Sequence, residues 1–113
     1  MHTYSSTTDG ITQIWNVHRL WELAEGLPVF DFPLVPDAWG MNEGAWEFIL
    51  KEGHDVDMSY PIILSADGHL MDGYHRVAQA LHEVRTTIHA VQFKVTPIPD
   101  EILDDLLDAP KSP

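Results

Sequence analysis

Two short apolar runs joined by an Asp-Gly pair, with a helical repeat directly after them, limit what this chain can fold into more than any other feature. Pro61-Ile62-Ile63-Leu64 and Leu70-Met71 flank Asp67-Gly68. Asp and Gly both tolerate positive φ, so this stretch predicts a hairpin-like strand–turn–strand. Val77, Ala80, Leu81 and Val84 then fall at i, i+3, i+4 and i+7, which predicts a helix starting near His75. Between the hairpin and the helix lies Asp72-Gly73-Tyr74-His75-Arg76. A glycine, a histidine and an arginine therefore meet at a helix N-terminus, where unpaired N–H groups and the positive end of the dipole suit an anion such as phosphate. Gly73 would let the backbone approach closely, and Arg76 would grip two oxygens at once.

The rest of the chain alternates helix and strand signals. Residues 1–10 read as a flexible Ser/Thr-rich lead-in and Ile11 to Val17 as a strand. Val17, Leu20, Trp21 and Ala24 repeat at helical spacing, with Gly26 as the stop. Leu27 to Leu34 holds two prolines, which cannot donate to a ladder, so it reads as an extended edge segment. Pro36 to Gly40 is expected to be loop. Asn42 is expected to cap a helix carrying Ala45, Trp46, Ile49 and Leu50, with Gly53 at its end. His54 to Ser59 is a polar connection. Thr86 to Val95 reads as a strand whose alternation changes phase between Ala90 and Val91, which calls for a bulge or two covered faces. After Pro97-Ile98-Pro99, Asp100 is expected to cap a last short helix with Ile102, Leu103, Leu106 and Leu107 inward, before Pro110. The predicted class is α/β (α+β), a mixed sheet with packed helices in a single small domain. It spans 11–109, between the lead-in and a tail at 110–113.

The 113 residues suffice for one small domain. Eighteen acidic against six basic residues give a formal charge of −12. A long basic face is excluded, which weighs against nucleic acid, whereas a basic protein partner fits. With no cysteine, disulfides, thiolate metal sites and cysteine catalysis are excluded. No apolar run reaches membrane-spanning length, and Met1 to Gly10 lacks the layout of a signal peptide. The expected setting is soluble and cytoplasmic.

Several residues have more than one reading. Asp72 could cap the helix, the favoured role, or hold Mg²⁺ against a bound phosphate. His75 could bind phosphate or act as acid or base, against a plain packing role. Asp67, His69, Asp72 and His75 could together form a metal site, but their spacing matches no tight ligand pattern. His82 and His89 read as surface residues. Trp21 and Trp46 sit on apolar helix faces and read as core. Trp39, in a Pro-Gly loop, could stack a base or line a partner surface, although packing as a lid over the core is favoured. The acidic face of 100–108, with Asp105 and Asp108 opposing the dipole, reads as solvated and as a dock for a basic partner.

With these residues placed, Pro61 to Val95 resembles the ParB/sulfiredoxin superfamily. That superfamily combines an apolar strand, a turn, a second strand, a D-G-x-H-R or G-E-R-R motif leading into an alanine-containing helix, and a further strand. The counterparts are Pro61-Ile62-Ile63-Leu64, Asp67-Gly68 and Asp72-Gly73-Tyr74-His75-Arg76, with Ala78 and Ala80. The resemblance implies nucleotide phosphates bound at Gly73, Tyr74, His75 and Arg76, with ATP, ADP or CTP as the nucleotide and Mg²⁺ on Asp72. ParB partition proteins carry doubled arginines where this chain has Tyr74-His75, and a helix-turn-helix domain that has no counterpart here. Sulfiredoxins place a catalytic cysteine at the position of Tyr74, so sulfinic acid reduction is not expected. The free serine kinases of this fold use a D-G-x-H-R motif close to the one here and need a catalytic glutamate near the first helix. Glu22 and Glu25 lie in that region. The implied function is nucleotide binding with phosphoryl transfer or nucleotide hydrolysis, in which Asp72, His75 and Glu22 would be catalytic. The alternatives are a non-catalytic interaction module that keeps the fold and, third, a DNA-binding or nuclease role.

Overall fold

Asp9-Gly10, the first of three Asp-Gly pairs in the chain, makes a tight turn with φ of 53° and 78°. In the computed structural model, which describes residues 2–35, 37–52 and 56–104, this turn joins strands β1 (Thr3–Thr8) and β2 (Ile11–Asn16). They are followed by α1 (Val17–Ala24), β3 (Phe30–Pro33), a 3-10 turn at Ala38–Gly40, α2 (Glu43–Lys51), β4 (Ile62–Leu64), β5 (Leu70–Asp72), α3 (Tyr74–His82), β6 (Thr87–Gln92) and β7 (Glu101–Asp104). The class is mixed α and β, with an antiparallel three-stranded sheet in the order β1-β2-β7 and a mixed four-stranded sheet in the order β3-β6-β4-β5. The chain forms two units: one from residues up to Leu23 together with those from Pro97, the other from Ala24–Thr96.

In the first unit, the segment expected as a flexible lead-in is β1, paired from Thr3↔Asn16 to Thr8↔Ile11. Thr and Tyr favour strands, and Asp9-Gly10 supplies the positive φ that a two-residue hairpin requires. Asn16 Oδ1 accepts from Arg19 N at 3.2 Å and caps α1. Val17, Leu20 and Ala24 form the buried stripe of α1, whereas Trp21 is 51% exposed. The core role expected of Trp21 is therefore corrected: it lies at the margin of the stripe, beside the ring of His18. Trp15 on β2 is buried, its indole N–H donating to the Pro97 carbonyl at 2.8 Å.

The last helix expected from Asp100 onward is also corrected over its described part. Glu101–Asp104 is an edge strand on β2, and Ile102 and Leu103 are exposed. Asp100 N donates to Ile14 O, and its carboxylate accepts from Asn16 N and from Arg19. This anchors the segment to the open edge of β2. A helix of one or two turns pays for nucleation before it gains bonds, while β2 offers a formed ladder at once. Asp105, Leu106, Leu107 and Asp108 lie outside the described residues, as do Gly53 and His54.

In the second unit, α2 starts as expected at Asn42, whose Oδ1 accepts from Ala45 N at 2.8 Å. β6 is interior, antiparallel to β3 and parallel to β4. Its phase change comes from two covered faces: Ala90 and Val91 are both buried, and the pairing of β6 is regular. The irregularity lies instead in the β4–β5 pair, at Ile63/Leu64. β3 is an edge strand, in keeping with Pro33 at its end, which cannot donate to a ladder. Trp46 of α2 and Val77, Ala78 and Ala80 of α3 share a buried cluster with Ile62, Leu64, Leu70, Ile88 and Ala90. Asn42→Ala should cost about 1 kcal/mol, read as a lower urea midpoint with an unchanged slope.

Candidate functional site

Gly73 stands directly before α3 with φ 110° and ψ 21°. A Cβ there would lie 2.6 Å from Ile62 Cγ2 and 3.2 Å from Ile62 Cα. The close approach that glycine permits is thus made to β4, where it seats the start of α3 against the sheet. The cap position expected of Asp72 falls to this glycine, which has no side chain to accept from the first helical N–H groups.

Asp72 is 5% exposed. One of its carboxylate oxygens accepts from Arg76 Nη2 at 3.0 Å, one helical turn on. The same Nη2 lies 3.3 Å from the Pro61 carbonyl, so Arg76 ties the end of β5 and the approach to β4 to the first turn of α3. Its side chain is 13% exposed. Arg76 Nε is buried and has no hydrogen-bond acceptor among the described residues. Asp57 adds a second carboxylate to this neighbourhood. The Ser59 hydroxyl and then its backbone N–H hold the Asp57 carboxyl below the usual range, and the charge of Arg76 acts in the same sense.

Tyr74 and His75 complete the motif. The Tyr74 hydroxyl donates to Leu70 O at 3.1 Å, and its ring continues an aromatic line through Trp46, Trp39, Phe32 and Phe30, with centroids 5.5–6.5 Å apart. Trp39 stacks on Phe32, donates its indole N–H to Gly68 O at 2.8 Å and packs on the core, as a lid does. His75 Nε2 faces Glu52 Oε2 at 3.7 Å, an ion pair when the imidazole carries its second proton. Glu52, at the end of α2, and Asp57 escaped the sequence reading. Only the packing of α2 beside α3 brings Glu52 to the motif, and no local pattern encodes that.

The other candidates lie elsewhere. Glu22 is on the exposed surface of α1, paired with His18 at 3.0 Å, and Glu25 is exposed in the turn after α1. Asp72 and Glu22 belong to different units. Among the described residues no three His, Asp or Glu side chains gather as metal ligands, so Asp67, His69, Asp72 and His75 do not form the four-residue metal site that was considered. His82 and His89 are exposed, as expected; His89 pairs across strands with Asp31 at 3.1 Å. No helix among the described residues is long and apolar enough to cross a membrane.

Two outcomes follow from this geometry. Gly73→Ala combines a left-handed backbone with a clash against Ile62 and should cost about 3 kcal/mol or more. Arg76→Ala leaves the Asp72 carboxylate buried without its guanidinium and should cost about 3 kcal/mol. In a double-mutant cycle with Asp72→Ala, the two losses should fall short of additivity by at least about 1 kcal/mol. Strict additivity would mean that the pair is not coupled.

Comparison with protein-family models, with curated proteins and with solved structures finds no match for this chain, so the chemistry of residues 72–76 rests on those residues themselves.

Proposed function

We propose that the turn formed by Asp72, Gly73, Tyr74, His75 and Arg76 binds the phosphate of a nucleotide, as the resemblance to the ParB/sulfiredoxin superfamily implies. The observation that carries the reading is the meeting of two kinds of donor at one place. A nine-residue helix starts there on a glycine, which has no side chain of its own to cap it, and the guanidinium of Arg76 has a buried Nε–H with no acceptor among the described residues. An oxyanion is the ligand that both donors favour. His75, about one third exposed, adds a donor from the same turn once it is protonated. Arg76 acts from within the turn rather than as a free clamp, because Asp72 and the Pro61 carbonyl already hold its Nη2.

Phosphoryl transfer or nucleotide hydrolysis is the reaction such a site would serve, with positioning and charge stabilisation as the main contributions. Mg²⁺ would take one or two protein carboxylates and keep the rest of its shell for phosphate and water, and Asp72 is the carboxylate of the motif. The resemblance calls for a glutamate base near the first helix, where Glu25 belongs to the same unit as the motif and Glu22 to the other. Binding is supported further than catalysis, since both glutamates are exposed and Glu22 is paired with His18.

The test is a thermal-shift panel with ADP, ATP, CTP and GTP, with and without Mg²⁺. A ligand at a hundredfold excess over its dissociation constant adds about 2.7 kcal/mol to stability, a shift of several degrees for a domain of this size. Arg76→Lys and His75→Ala are the variants to set beside it, because Arg76→Ala also removes the partner of a buried carboxylate. A shift given by one nucleotide and diminished in both variants is expected. No shift with any nucleotide at millimolar concentration would dismiss the site.

A further inference from the structure

Helices α2 and α3 run antiparallel. Glu52 at the end of α2 faces His75 at the start of α3, and Glu43 at the start of α2 lines the same cleft as His82 at the end of α3. The cleft between them measures about 270 Å³. Trp46, Leu50, Ala78 and Leu81 line it, and Trp46 and Ala78 are buried. Glu43 and Glu47, one turn apart on α2, are its exposed acidic margin.

We propose that this groove docks a cationic amphipathic helix of a partner protein. At about 270 Å³ the cleft lies at the small end of ligand-sized clefts, about 300 to 1,000 Å³, and has room for one or two apolar anchor side chains. Two antiparallel helices with an apolar seam present the ridges that accept a third helix, which is how amphipathic segments are recognised in helical grooves. Charge selects the sign of that segment. Glu43 and Glu47 make no ion pair or hydrogen bond with another described residue, whereas Glu22, Glu52 and Glu83 each face a cation or histidine. Like charges one turn apart on a helix repel, and lysines or arginines flanking the apolar anchors of a partner would relieve them. A second copy of the chain is disfavoured as the occupant, because it would bring the same acidic margin and a net charge of −12. The groove lies within Ala24–Thr96 and at the opposite end of α3 from the Gly73 turn, so it does not depend on the phosphate reading.

The experiment is fluorescence anisotropy on the full chain with a labelled 18-residue helical peptide of leucine and lysine, and a control peptide with glutamate in place of lysine. Glu43→Gln with Glu47→Lys alters the margin by exposed substitutions that the fold tolerates. Glu22→Gln with Glu25→Lys makes the same charge change elsewhere, and circular dichroism checks that both variants fold. Binding of the lysine peptide alone is expected, weakened tenfold or more by the groove variant and less than twofold by the control variant. Failure of the lysine peptide to bind, equal weakening by both variants, or equal binding of the glutamate peptide overturns the proposal. So does self-association that the groove variant strengthens.

Discussion

The seating of α3 on β4 at Gly73 is the constraint on which the second unit depends. A helix that starts where a strand ends must turn the chain sharply while its first residue lies against the neighbouring strand. At this position the side chain of Ile62 leaves no room for a Cβ, and φ is 110°. Glycine meets both demands, since only it takes that conformation cheaply and adds no atom to the contact. Once α3 is set down there, Val77, Ala78 and Ala80 fall onto Ile62, Leu64 and Ala90. The Asp72–Arg76 pair then closes the same turn. Its contribution differs from that of the apolar cluster: a buried ion pair adds little over an apolar substitute, yet losing one partner is expensive. The pair therefore fixes which conformation the turn adopts more than it adds to stability.

How much of this could be read from the residues depended on whether the information was local. The β4–turn–β5–α3 block was legible because turn chemistry, helical period and cap lie within a few residues of one another. So were the Asn42 cap and the proline that suits β3 to an edge. β1 was legible in principle, because Asp9-Gly10 is the same signal as Asp67-Gly68, but the polar composition around it read as a lead-in. β7 was not: Ile102 and Leu103 suit a helix or a strand equally, and the partner that decides the matter, β2, lies almost ninety positions upstream. Trp21 failed for a narrower reason. On a helix of eight residues, the i+4 position is as good a core candidate as i+3, and only packing chooses between them. At the candidate site, the motif's place in the chain was legible, while the internal use of Arg76 and the approach of Glu52 were not, since both arise from tertiary packing.

The charge balance of the chain bears on every ligand that might be considered. Each of the three arginines lies within hydrogen-bond distance of a carboxylate: Arg19 with Asp100, Arg76 with Asp72 and Arg85 with Glu83. The backbone of a nucleic acid is bound through many such cationic contacts, and none of the three arginines stands apart from a carboxylate. An anion small enough to be held by a few N–H groups and a single guanidinium escapes that restriction, because its recognition is local. A phosphate ester asks less of such a site than a polyanionic duplex would.

The same balance separates the two ends of α3. At its N-terminus the peptide dipole and Arg76 favour an anion, although Asp72 and Asp57 reduce the net charge there, so ligand geometry has to supply much of the selectivity. At the other end, the positive pole of the antiparallel α2 offsets the negative pole of α3, so the two carboxylates that α2 presents are what would favour a cation over the apolar seam. An anion and a cationic helix bound at these two ends would not compete for the same groups. They could act on each other through the seat of α3 on β4 or through α2, which faces His75 with Glu52 and carries Glu43 and Glu47 at the groove. Independent binding would mean that neither route transmits a change, and a measurable coupling between nucleotide and peptide would mean that at least one does.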